Sequence, residues 1–154
     1  MKSKIHIILT TIALLALSCT KNEAQNQPST PYMDINITVA DKTLTVHLTE
    51  NSATRELVAA LQKKPITCQA DDYGGFEKVG PLGRSLPTSD MHITTEAGDV
   101  VLYNGNQIVL FYGSNSWSYT RLGHIEYTSL DELKDFLKAG QGRITVMLSI
   151  AKRK

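Results

Sequence analysis

The run Trp117-Ser118-Tyr119-Thr120-Arg121-Leu122-Gly123-His124 brings aromatic surface, a fixed cation and an imidazole together in one short stretch. Such residues can hold an extended peptide against an apolar wall. A guanidinium beside that wall could also polarise an amide carbonyl and ease rotation about an X-Pro bond, a barrier of about 18–20 kcal/mol. In a strand, Trp117, Tyr119 and Arg121 share one face, whereas the side taken by His124 depends on the backbone at Gly123. A solvated face carrying amphipathic aromatics has the same pattern. Arg84, in a loop, and Tyr73, beside an acidic turn, complete the set of candidate binding residues.

Other reactive side chains point to less. Asp71 and Asp72 precede Tyr73-Gly74-Gly75, but no further oxygen ligand follows at calcium-loop spacing, and the segment reads as a solvated turn. The glycine pair lacks the pattern of a phosphate-binding loop. Cys68 could act as a nucleophile with His92 or His124 as its base. A lone cysteine on a predicted strand reads better as a small buried hydrophobe. His6, His47, His92 and His124 show no zinc-ligand spacing. Neither a metal nor a cofactor is expected, and no catalytic residue is assigned.

Cys19 carries chemistry of another kind. Lys2 and Lys4 precede an apolar run over residues 5–17, and Ala16-Leu17-Ser18 places small residues ahead of the cysteine. The run is shorter than the roughly 20 residues that a membrane span needs. It resembles a bacterial lipoprotein signal, in which the cysteine thiol is acylated and becomes the first mature residue. Two or more acyl chains, at about 0.8 kcal/mol per buried methylene, would hold the chain at a bilayer. The expected location is therefore the bacterial cell envelope.

Removing residues 1–19 takes the formal charge from +1 to about −1, which gives no electrostatic reason to bind nucleic acid. Residues 20–31, TKNEAQNQPSTP, have a single apolar side chain and read as a disordered tether. Residues 32–154 suffice for one core. With Cys19 committed to lipid, Cys68 has no disulfide partner. The terminal Lys152-Arg153-Lys154 reads as a solvated tail.

The positioning elements follow from periodicity. Ile35, Ile37 and Val39, then Leu44, Val46 and Leu48, alternate across a turn at Asp41-Lys42 and predict a hairpin. A helix is predicted over residues 53–63, capped by Asn51 or Ser52 and ending before Pro65. Strands are predicted at 66–70 and 76–79, followed by a long loop through Gly80-Pro81-Leu82-Gly83 and Leu86-Pro87. Residues 100–103 and 107–112 form the strongest strand pair, joined by Asn104-Gly105-Asn106. One or two strands follow over 117–127. A Ser129-x-x-Glu132 box opens a helix with Leu130, Leu133, Phe136 and Leu137 on one side, stopped by Gly140, and Ile144 to Ile150 alternate in a last strand. Seven or eight strands with abundant hairpin signals favour a closed antiparallel barrel. A barrel of that size is filled by side chains, so a site belongs on its outer wall or in its loops.

At DYGGFEKVG (71–80), GDVVLY (98–103), GNQIVLFYG (105–113) and Tyr119-Thr120-Arg121-Leu122-Gly123-His124-Ile125, the chain resembles the small bacterial cyclophilin-like family, and the likeness extends over most of residues 33–150. The resemblance implies a mainly β, closed eight-stranded antiparallel barrel with two short capping helices. It does not imply proline isomerisation. The Phe-His-Arg segment of true cyclophilins is missing, and Arg84 and Arg121 sit in other company. The expected function is a membrane-anchored binding module for an extended peptide or small ligand, using Trp117, Tyr119, Arg121, His124, Arg84 and Tyr73. A divergent peptidyl-prolyl isomerase and a structural component of an envelope complex are the alternatives.

Overall fold

Alternating burial along the first strand sets the pattern for the whole molecule: Ile35, Ile37 and Val39 point inward, while Asn36 and Thr38 point out. The computed structural model describes residues 34–151; the leader, Cys19, residues 20–31 and the three terminal cations lie outside the described residues. In chain order the elements are β1 (Ile35–Val39), β2 (Lys42–Leu48), α1 (Ser52–Lys63), β3 (Ile66–Tyr73), β4 (Glu77–Pro81), β5 (Met91–Thr94), β6 (Asp99–Tyr103), β7 (Gln107–Phe111), β8 (Ser116–Ile125), α2 (Leu130–Phe136) and β9 (Ile144–Ile150).

Eight strands form a ring in the order β2-β1-β9-β3-β4-β7-β6-β8, closed by pairing of β8 with β2. This is the expected closed antiparallel barrel. β5 is an addition, hydrogen-bonded to β8 from Met91↔Tyr119 to Thr94↔Ser116. Within β5 only Ile93 is partly buried, so the strand has no hydrophobic period that could separate it from the loop expected there. β8 is long enough to serve three partners: β5 at its start, β6 in its middle and β2 at its end.

Both helices are capped by side chains. Asn51 accepts from the Thr54 backbone N–H at 2.9 Å, and the Thr54 hydroxyl accepts from the Asn51 N–H at 3.1 Å, a reciprocal pair that satisfies two otherwise free donors. The Asn51 amide also donates to the Arg121 carbonyl at 2.7 Å and ties α1 to β8. α1 buries Ala53, Leu57, Val58 and Leu61. At α2, Ser129 accepts from the Glu132 N–H, while the Glu132 carboxylate reaches back to Thr128. Leu133, Phe136 and Leu137 are buried, but Leu130 is exposed, because it sits at the first helical position on the outer side.

Apolar side chains form two layers. The larger fills the barrel and includes Val100, Leu102, Ile108, Leu110, Leu122 and Ile125. The smaller lies on the outer wall, where Val101, Val109, Phe111 and Tyr119 pack with Phe76, Val79, Ile93 and Tyr103. Strands β6 and β7 are therefore covered on both faces, which explains their unbroken apolar runs.

The solvated turn expected at Asp71-Asp72 is not what forms. Both residues belong to β3, and alternation sends them to opposite sides. Asp71 pairs outside with Arg143 at 3.0 Å. Asp72 turns inward to the fully buried Lys78 ammonium at 2.7 Å, and also accepts from the Tyr112 hydroxyl at 2.9 Å and the Gly140 and Gly142 N–H groups at 3.1 and 2.7 Å. Lys78 donates in turn to the Gly142 carbonyl. Burial raises the Asp72 carboxyl, but the Lys78 ammonium and these donors outweigh it and hold the group down at about 2.

Candidate functional site

On the outer wall, odd-numbered residues of adjacent strands come into phase. Register pairs Glu77 with Phe111, Val79 with Val109 and Val101 with Val109, so Glu77, Val79, Val109, Tyr103, Tyr119 and Trp117 present one continuous face. With Tyr73 from the end of β3 and Asn115 from the turn before β8, they line a trough of about 330 Å³. That volume falls within the roughly 300–1,000 Å³ of small-ligand sites.

The walls are aromatic. Tyr119 packs edge-on against Tyr103, with centroids 6.0 Å apart, and against Phe111 at 5.8 Å, geometries that the ring quadrupoles favour. Its hydroxyl accepts from the Asn115 amide at 3.0 Å, and burial pushes its pKa up. Trp117 and Tyr73 stand at the opening, 55% and 65% exposed.

Glu77 lies in this wall, 4% exposed, and its Oε2 has no hydrogen-bond partner among the described residues. Burial pushes its carboxyl up to about 7 from 4.5. A group so placed is poised to hold a proton or a cation near neutral pH. The folded chain retains a proton there that the unfolded chain releases, so this group's stabilisation is lost as pH rises from 4.5 towards 7. Glu77→Gln is expected to gain stability relative to the parent on going from about pH 5 to about pH 8, read as the difference between their Tm values. A difference that stays constant across that range would contradict the burial argument.

Arg121 and His124 line a neighbouring depression of about 390 Å³ with His47, Leu48, Thr49, Glu96, Asp99 and Gly123. They come together through a β-bulge. Between Val100↔Gly123 and Val101↔Arg121 the register slips, leaving an extra residue on β8. Residues three apart in sequence thereby reach one carboxylate: Asp99 Oδ1 accepts from Arg121 Nη1 at 2.9 Å and from His124 Nδ1 at 3.1 Å, and Oδ2 accepts from the Glu96 N–H. Gly98, at φ 92°, leaves the space that the His124 ring occupies. Nearby, His47 bonds to Asp34 at 3.0 Å, and this contact raises its pKa.

Glu96, Asp99 and His124 can bring potential metal-ligand atoms within 4.8 Å of one another, a grouping that their sequence spacing did not suggest. The Arg121 guanidinium already stands against Asp99, where it opposes a metal cation.

The six candidate binding residues thus separate. Trp117, Tyr119 and Tyr73 share the trough, Arg121 and His124 share the depression, and Arg84 is exposed in the loop between β4 and β5, lining neither. Glu77, Tyr103, Val79, Val109 and Asn115 are trough residues that the sequence reading did not single out. Cys68 is buried on β3, and burial pushes its thiol up to about 11, away from nucleophilic use.

The comparisons agree with this architecture. The hypothetical protein AF2241 from Archaeoglobus fulgidus has a similar structure, with a TM-score of 0.57 and 20% identity over 78% of this chain and 95% of its own. McbB, solved in complex with tryptophan, has a TM-score of 0.53 and 14% identity over 78% of this chain and 45% of its own. No curated protein matches. The sequence pattern of the Cyclophilin-like family matches residues 37–149, from β1 to β9. That span takes in every strand of the ring, and the chain belongs to the cyclophilin-like family.

Proposed function

We propose that the protein is a binding module that holds a small ligand or a segment of extended peptide in the outer-wall trough, and that a lipid on Cys19 carries it to the bacterial cell envelope. The observation that supports the binding reading is a buried carboxyl with an unpartnered oxygen, set among four aromatic side chains on a wall open to solvent. A solvated face would not bury Glu77. Isomerisation is the weaker reading, since a prolyl carbonyl in the trough would meet no guanidinium: Arg121 is held by Asp99 in the neighbouring depression.

Trp117 is the chain's one tryptophan and lines the trough, so its fluorescence reports occupancy directly. In a screen of short peptides and small metabolites against the full chain, bound ligands are expected to shift that emission, and Tyr73→Ala to weaken them about tenfold. An unresponsive Trp117 across the screen would remove the binding reading. In the same preparation, Cys19→Ala is expected to move the chain from the detergent phase to the aqueous phase; no change in partition would remove the anchor.

A further inference from the structure

We infer that the trough is a cage for an organic cation, with an ammonium group, alkylated or primary, seated among Trp117, Tyr73, Tyr103 and Tyr119 and ion-paired with Glu77. This rests on the trough being a binding site, as proposed above, and assigns the chemical class of its occupant.

Three observations converge on it. Glu77 is 4% exposed and its Oε2 has no partner among the described residues, an arrangement that is costly for a carboxylate unless a counter-charge arrives. The other fully buried carboxylate among the described residues, Asp99, has Arg121, and the inward-turned Asp72 has Lys78. The residues lining the trough include no Lys, Arg or His, so none of the described residues that line it supplies a counter-ion.

The wall chemistry agrees. Four of the eight lining residues are Tyr or Trp, whose ring faces attract cations by about 0.5–2 kcal/mol each according to how far the site is desolvated. Val79 and Val109 add apolar surface suited to N-alkyl groups. A neutral apolar ligand would use the rings but leave Glu77 unanswered. An anionic ligand would be repelled by it.

Ionisation of Glu77 couples occupancy to pH. The titratable side chains around it are phenols, Tyr73 of β3, Tyr103 of β6, Tyr112 after β7 and Tyr119 of β8, none of which can carry a positive charge, and burial raises the pKa of Tyr112 and Tyr119. Affinity for a cation therefore rises as pH passes upward through about 7, where Glu77 loses its proton.

The test titrates the full chain, followed through Trp117 emission and by calorimetry. The probes are choline, its neutral carbon isostere 3,3-dimethylbutanol, a trimethyllysine peptide and the neutral carbon isostere of that peptide. At about pH 8 at least one cationic probe is expected to bind about tenfold or more tighter than its isostere. That preference is expected to shrink at about pH 5.5 and to disappear in Glu77→Gln. Whichever cationic probe binds tighter identifies the source as a free small molecule or a peptide side chain. Equal binding of cation and isostere, a preference that survives in Glu77→Gln, or silence of both cationic probes overturns the cage. Should the neutral probes still bind, the binding module stands without it; silence of all four, together with an unresponsive ligand screen, removes both readings.

Discussion

Asp72→Ala lowers the unfolding free energy by about 3–5 kcal/mol, because it leaves a buried ammonium without its counter-charge. Lys78 is 0% exposed, and Asp72 is the carboxylate that answers it at 2.7 Å. The same substitution strips the partner from the Tyr112 hydroxyl and from the Gly140 and Gly142 N–H groups in the turn between α2 and β9. The double variant Asp72→Ala/Lys78→Met should be considerably more stable than Asp72→Ala alone, since it removes the stranded charge as well. Urea unfolding of the parent, both single variants and the double variant measures this cycle. A loss of less than about 1 kcal/mol in Asp72→Ala would show that water reaches Lys78 and that the pair is not desolvated. Acid should act similarly: the folded-state pKa of Asp72 is depressed from 3.8 to about 2, so its contribution is present above 3.8 and is lost as pH falls through about 2.

Gly123→Ala is expected to loosen the closure of the barrel. β8 pairs with β2 at Val46↔Ile125, His47↔His124 and Leu48↔Gly123, flanked by the Thr49 N–H donating to the Leu122 carbonyl and the Glu126 N–H to the Thr45 carbonyl. A methyl group on Gly123 would land well inside van der Waals contact of the His47 carbonyl oxygen and close to the Leu48 Cα. Backbone atoms cannot rotate out of the way as a flexible side chain can, so the strands must separate, at a cost of about 1–3 kcal/mol or more. Amide exchange localises the effect: faster exchange is expected in β2 and at the end of β8, with the β4–β7 pair little changed. Uniform protection equal to the parent would show that the seam can absorb a methyl group.

Much of the scaffold was legible because most of its strands bury one face. Ile35, Ile37 and Val39, and again Ile144, Val146 and Leu148, alternate so plainly that strand and phase follow from the order of side chains. Phase was not legible in β6 and β7, where DVVLY and QIVLF are apolar at nearly every position. Those runs announced a strand pair, but neither the second apolar layer outside the barrel nor the residues that form it. Tyr103 went unnoticed for that reason.

Glu77 was hidden differently. It stands beside Lys78 on a short strand, and alternation buries the lysine inside the ring and the glutamate in the outer wall, which their order alone does not reveal. The meeting of Arg121 and His124 depends on a slip of register opposite β6, which is a property of two strands together. Trp117, Tyr119 and Arg121 do keep a common phase on β8, as alternation requires, yet Asp99 draws Arg121 away from the aromatics. Asp72 gave no hint of its role because Lys78, Tyr112 and the Gly140–Gly142 turn reach it only in three dimensions.

The order of strands around the ring also fixes a polarity for the whole particle. Residues 34 and 151 meet where β1 adjoins β9, the Ala151 N–H donating to the Asp34 carbonyl. The trough is built mainly on β4, β7, β6 and β8, the other half of the circle, with Tyr73 reaching in from the end of β3. A surface coupled at positions 34 or 151 themselves would thus lie against the half of the ring away from the aromatic opening.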